Sequence, residues 1–209
     1  MTDVHQQSYH HGNLRAVLID TALEMLKTHG ADELSLRALA SAAGVSRAAP
    51  YAHFVDKGAL LRSVAAAGFA QMAEEMRGSM GGSEDVRERF LATGRAYVRF
   101  ARHNANVFRL MFSAGHNSVP SDGASPASES PYEIFQAALR TFLEDRRVTL
   151  LDEQVVRTTA WSCVHGLSLL LIEDRLGQSP EQDERLAEQV TALFADLLGS
   201  QGDRDGPAS

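Results

Sequence analysis

Apolar positions recur every three or four residues along most of the chain, and no segment alternates apolar and polar residues with the period of two that a strand requires. The pattern predicts an all-α fold of about nine helices, a small N-terminal three-helix unit followed by a larger helical domain. Asn13 is placed to cap a first helix with Leu14, Val17, Leu18, Ala22 and Met25 on its inner side and Gly30 at its end. Ser35 caps a short second helix to Ala43, Gly44 makes the turn, Ser46 starts a third helix to about Phe54, and a fourth runs from Lys57 to about Met80. Leu61, Val64, Gly68, Met72 and Met76 trace the inner stripe of that fourth helix.

After the Gly81-Gly82-Ser83 break, Val86, Phe90, Gly94, Tyr97 and Ala101 mark a fifth helix, and a short one follows over Val107–Phe112. Ser113–Ser130 is rich in Ser, Gly, Pro and Ala without periodicity and is expected to be a loop. Ser130-Pro131-Glu133 and Ser179-Pro180-Gln182 are capping-box starts with proline at the first helical position. Between them Asp152–Leu176 predicts a long helix, apolar all round from Leu167 to Ile172 and so buried on several sides. The last helix carries Leu186, Val190, Leu193, Phe194 and Leu197 on one side and stops at Gly199. The expected division is a domain over 1–56 with a flexible arm at 1–11, a second domain over 57–199, and a loose tail at 200–209.

Ser35–Phe54 has the parts of a helix-turn-helix, in which one helix crosses the DNA backbone and the next presents its first side chains to base edges in the major groove. Leu36, Leu39, Ala40 and Ala43 give the supporting helix an apolar inner side, and Val45 plugs the corner. Arg47 and Ala48 stand where side chains enter the groove: a guanidinium suits guanine O6 and N7, and a methyl suits thymine. Tyr51, His53 and Lys57 follow one or two turns later, suited to phosphates.

Net charge weighs against indiscriminate nucleic-acid binding. The chain carries −7, but residues 1–60 hold five Lys or Arg against six Asp or Glu, so most of the acidity lies further on. Five of the eight histidines, His5, His10, His11, His29 and His53, also fall in that segment, where phosphates would raise their proton occupancy. No stretch reads as a membrane span or secretory signal, and the one cysteine, Cys163, offers no disulfide or thiolate cluster, so the expected location is the cytoplasm.

The segment Gly44–Leu61, GVSRAAPYAHFVDKGALL, resembles the signature of the TetR family of repressors, and Tyr9–Arg15, YHHGNLR, resembles the lead-in of one branch. Trp161–Gly166, WSCVHG, resembles the Trp, His, Gly motif of a branch with a divergent ligand domain. The resemblance implies a ligand-responsive repressor that binds a palindromic operator in double-stranded DNA. Ser35 and Arg37 would hold backbone, Ser46 would start the reading helix, Arg47 and Ala48 would read bases, and Tyr51, His53 and Lys57 would anchor phosphates. It also implies a homodimer through helices 152–176 and 180–198, and a second domain that binds a small-molecule effector of unknown identity. Pro50 departs from the pattern, replacing a larger apolar residue and removing an N–H, and predicts a tightened or bent reading helix.

Candidate effector-pocket residues are Phe90, Tyr97, Phe108, Met111, Phe112, Phe135, Phe142, Trp161 and His165. Trp161 and His165 lie one helical turn apart and can supply an apolar wall with one polar contact, although the same spacing also builds a plain core. No cofactor or metal is expected, because His5, His10 and His11 lack the one-sided spacing of a ligand set and have no partnering cysteine. Cys163 and His165 are two apart on a helix and point in different directions, so they do not form a nucleophile and base pair. Two rival classes are a helical adaptor that binds protein without DNA affinity and a small helical enzyme, for which no paired carboxylates or nucleophile and base stand together.

Overall fold

Leu14–Leu26 forms α1, whose buried side is Leu18, Ala22, Leu23 and Leu26. This line is rotated from the expected one: Val17 is exposed, and Leu14 and Met25 are only partly covered. Asn13 occupies the N-cap position without a side-chain capping bond, and the helix ends at Leu26, ahead of Gly30. The computed structural model describes residues 13–113, 129–148, 152–177 and 179–202; the arm at 1–11, most of the Ser113–Ser130 loop and residues 203–209 lie outside them.

Ser35 accepts from the Ala38 amide at 3.1 Å and opens α2, Leu36–Ala42. The helix closes with Val45 N–H donating to the Ala40 carbonyl while Gly44 takes φ +67°, a left-handed conformation that glycine adopts without a Cβ penalty. The expected third helix from Ser46 to Phe54 is instead one 3-10 turn, Ala49–Ala52. Pro50 is the reason. It has no N–H to give the Ser46 carbonyl, which takes the Ala49 amide at 3.0 Å and so tightens the chain to i→i−3 bonding.

Asp56 caps the Ala59 amide at 2.7 Å and starts α3, Lys57–Met80. Leu61, Val64, Gly68, Met72 and Met76 are all buried along it, as the spacing predicts. α4 (Val86–His103) and α5 (Ala105–Phe112) follow, then α6 (Pro131–Asp145), α7 (Glu153–Ile172) and α8 (Pro180–Gly202). Ser130 and Glu133 exchange both bonds of the capping box, and Ser179 and Gln182 make the same reciprocal pair. Among the described residues every regular element is helical, with eight α-helices and the 3-10 turn.

α3 lies against α1 below and α4, α5 and α6 above, while α4 sits at the centre of the second domain in contact with α3, α6, α7 and α8. Gly94 of α4 lets α8 approach closely, since a Cβ there would sit 3.3 Å from Thr191 Cγ2. Buried hydroxyls of Thr93, Ser168 and Thr191 each donate to the carbonyl four residues back, so none is left unpaired. Three expectations change. α7 stops at Ile172, with Asp174 at φ +50° and Gly177 at φ +60° turning the chain towards α8; Leu170 is 43% exposed although its neighbours are covered; and α8 runs past Gly199 to Gly202. α7 is also long and apolar enough to cross a membrane by length and composition, contrary to the sequence reading, yet it packs in the helical bundle with Val156, Ala160, Val164, Leu167 and Leu171 buried.

On α8 the expected apolar side splits in two. Ala187, Thr191, Ala195 and Leu198 face the core, whereas Leu193 and Leu197 are each 59% exposed, with Leu186 and Val190 half-buried on the same line. Thr191 is the α8 residue that the close approach at Gly94 admits, while the expected Phe194 is half-buried against the core beside it.

Candidate nucleic-acid interface and effector core

The reading unit is held from behind. Phe54 is 2% exposed, the Arg15 guanidinium lies 5.5 Å from its ring centroid, and Arg15 Nη2 donates to Ser63 Oγ of α3 at 2.9 Å. Pro50 is buried on the same inner side, so the residues that tighten the turn also seat it.

In front of this support, Ser35, Arg37, Ser46, Arg47, Ala48, Tyr51 and His53 are all exposed, as a DNA-facing surface requires. Arg37 and Arg47 have no carboxylate partner among the described residues, so their charge is free for phosphate or base. Tyr51 is 59% exposed, so its ring and hydroxyl are accessible to a sugar-phosphate backbone. Lys57 is placed differently: its ammonium donates to the Asp32 carbonyl at 2.7 Å, tying the start of α3 to the turn between α1 and α2. Ser46 offers no side-chain cap to a helix; its carbonyl receives the Ala49 amide.

The nine candidate effector residues do come together, as a filled aromatic core. Phe90 stacks on Phe142 at 5.1 Å and tilts against Phe135 at 5.7 Å. Phe135 meets Trp161 at 5.8 Å, and Trp161 stands edge-on to Tyr97 at 5.0 Å. His165 is enclosed by Phe108 at 5.5 Å and Phe112 at 4.6 Å, and Met111 is fully buried beside them. Only about 10 Å³ of free space remains between Phe90, Gly94, Phe135, Val164 and Phe194. A far larger recess, about 820 Å³, opens elsewhere, between the end of α6 and the start of α7, over Leu139, Leu143 and Val156 with Arg140, Arg147 and Arg157 at its sides.

One polar pair crosses the aromatic core. The Tyr97 hydroxyl and His165 Nδ1 are 2.9 Å apart, while Nε2 has no hydrogen-bond partner among the described residues. Burial pushes the Tyr97 phenol far above its ordinary range, so it stays protonated and can donate to Nδ1. Burial likewise holds His165 below its ordinary value, and the half-buried Cys163 thiol is raised, away from the thiolate a nucleophile needs.

The His165 shift has a consequence for stability. Its folded-state pKa lies below the unfolded value of about 6.5, so the unfolded chain binds the proton more readily and the stabilisation present above that pH is lost as pH falls beneath it. Thermal unfolding of wild type and His165→Gln, which keeps a polar partner for Tyr97 but does not titrate, should therefore show the steeper loss between pH 7 and 5 in wild type; parallel curves would contradict this assignment.

Several contributors were not legible in the sequence. Phe69 meets Phe112 at 5.4 Å and Tyr132 meets Trp161 at 5.1 Å, extending the aromatic set. Asn106 and Arg109 join α5 to α1 and α7 through side-chain hydrogen bonds, a pairing that no periodicity announces. Gly68 does show as a break in an apolar stripe, but its reason is spatial: a Cβ there would lie 2.7 Å from Val107 Cγ1.

Comparison with known proteins bears on the same two regions. Residues 18–64 match the family described as bacterial regulatory proteins, tetR family, and residues 90–194 match the tetracyclin repressor-like C-terminal domain. The HTH-type nicotine-responsive transcriptional repressor HdnoR of Paenarthrobacter nicotinovorans is 37% identical over 73 residues, which cover 35% of this chain and 38% of that protein. The match thus spans well under half the length of that curated relative. A solved structure of a protein with unknown function from Rhodococcus sp. RHA1 is 30% identical over 93% of this chain and 98% of its own, with a TM-score of 0.69. The TetR family transcriptional regulator PfmR from Thermus thermophilus shares the fold at 18% identity, covering 86% of this chain and 97% of its own, with a TM-score of 0.60.

Proposed function

Because the chain belongs to the tetR family of bacterial regulatory proteins, we propose that it is a ligand-responsive transcriptional repressor that binds a near-palindromic operator as a homodimer and is released by a small molecule. The observation that carries this reading is the exposed row of Arg37, Arg47, Tyr51 and His53, set on a turn that is itself anchored by buried Phe54 and Pro50. Two such heads in successive major grooves would contact half-sites roughly 34 to 36 Å apart.

Ser35, Ser46 and Arg37 are assigned to the backbone, Arg47 and Ala48 to base edges, Tyr51 and His53 to phosphates, and Lys57 both to phosphate and to the tie with Asp32. Because the reading element is a single 3-10 turn, base recognition falls on the residues just before it. The dimer would form through α7 and α8, where Val155, Leu170, Leu193 and Leu197 stand exposed. The effector would take the place of the Phe112 contact on His165, whose free Nε2 is the polar group available there. Repression by blocking polymerase and location in the cytoplasm belong to the same reading.

Selection from a random duplex pool tests it. The wild-type protein should retain a two-fold symmetric sequence, Tyr51→Ala should lose it, and Arg47→Ala should keep binding while relaxing preference at a base position by about 1 to 3 kcal/mol. Retention of no sequence above the pool, or of one without two-fold symmetry, would count against the repressor reading.

A further inference from the structure

α5 is eight residues long and works on two sides. On one side Asn106 Nδ2 donates to the carbonyls of Leu26 and His29, both at 3.0 Å. Leu26 is the last residue of α1, where a helix leaves acceptors without intrahelical donors, and His29 lies in the turn that follows it. Asn106 Oδ1 accepts from Arg109 Nη1 at 3.0 Å, and Arg109 Nη2 donates to the carbonyl of Ile172, the last residue of α7, at 2.7 Å. A guanidinium only donates, so Arg109 fixes the amide with its oxygen towards itself and its NH₂ towards α1. Both amide hydrogens are then used on the reading unit.

The other side of α5 is a wall of the aromatic core. Phe108 and Phe112 enclose His165, and Val107 and Met111 lie so close to Gly68 that a Cβ on α3 would sit 2.7 and 2.8 Å from their side chains. α5 therefore has little freedom to move against α3 without moving whatever Asn106 holds.

We infer that Asn106, oriented by Arg109, is the positioning residue that ties the reading unit to the effector core, so that displacement of α5 at the His165 cluster is delivered to the end of α1. The inference rests on the DNA-binding reading above for its purpose, though the tie itself is measured without DNA. A guest that separates Phe112 from His165 shifts α5, the Asn106 bonds drag or release α1, and the spacing of the two heads changes.

The test uses the 209-residue chain, as the dimer proposed above, with Cys163→Ser and a nitroxide on Ala42→Cys, an exposed position at the end of α2, and reads the distance between the two labels by pulsed electron paramagnetic resonance. Asn106→Ala should at least double the width of that distribution, and so should Asn106→Asp, which keeps the side-chain volume but turns acceptors towards two carbonyls. Arg109→Ala, which frees the amide to flip, should give a smaller change in the same direction. Affinity of Asn106→Ala for the selected operator should fall on the order of tenfold, because only the fraction with correct spacing binds, while the salt slope and the selected sequence stay as in wild type. Unchanged widths in both Asn106 variants overturn the inference, as does weaker binding at unchanged width. If wild type retains no operator, the DNA-binding reading fails, and the label widths still decide whether Asn106 is the tie.

Discussion

Replacing Leu193 and Leu197 of α8 together by glutamate should leave a folded monomer that has lost operator binding by roughly two to four orders of magnitude. Each leucine is 59% exposed and neither supports the core, which α8 contacts through Ala187, Thr191, Ala195 and Leu198. The two carboxylates are therefore tolerated in the monomer, where they face water, and cannot be buried against a second copy without heavy desolvation. For the proposed dimer, loss of the second copy would convert a two-headed contact into a single one and remove the gain from linking two half-site interactions on one particle. Sedimentation equilibrium with circular dichroism checks the first half of the result, and operator binding in solution checks the second. A double variant that stays dimeric would move the interface away from α8, to surfaces such as Val155 and Leu170 of α7.

Phe54→Ala should cost about 3 to 5 kcal/mol, the range for emptying a buried phenylalanine site. Phe54 is 2% exposed and joins the reading turn to α1 and α3, with Arg15 against its ring. Because a domain typically holds only about 5 to 15 kcal/mol in total, this loss should melt the reading unit at a lower temperature than the helices that follow α3. Two transitions by calorimetry, only the first shifted, are the expected result. One cooperative transition shifted as a whole would mean that α3, which runs through both regions, couples them into one folding unit.

These two predictions draw on information of different kinds. That Leu193 and Leu197 share a helix side follows from spacing alone, and so do the inner stripe of α3, the capping pair at Ser130 and Glu133, and the glycine turn at Gly44. Each depends on residues within one or two helical turns, where backbone sterics and local hydrogen bonds decide the outcome. The local disturbance at Pro50 was legible in the same way, because proline lacks a donor wherever it stands, but the expected bent helix over Ser46–Phe54 is a single 3-10 turn, with the Ala49 amide on the Ser46 carbonyl.

The exposed row of candidate DNA contacts was readable from motif and spacing, since such a surface needs only that one side of a short segment be left uncovered. Lys57 shows the limit: its charge was evident, but the tie to the Asp32 carbonyl joins groups 25 residues apart. The aromatic set was likewise identified by type, while its condition, a filled core crossed by the Tyr97 to His165 bond, came from four helices meeting.

Sequence by itself therefore determined the helical class, most helix starts, and the turn chemistry at Gly44, because these are local consequences of side-chain shape and donor count. Tertiary structure alone decided which side of α8 faces outward, how tightly the aromatic core closes, and that Asn106 and Arg109 bind α1 to α5 and α7. The physical reason is that close packing and long-range hydrogen bonds depend on which surfaces meet. In α8 Leu198 is buried while Leu193 and Leu197 are exposed, a difference that the equal hydrophobicity of the three leucines does not contain and that follows from which surface of the helix meets the bundle.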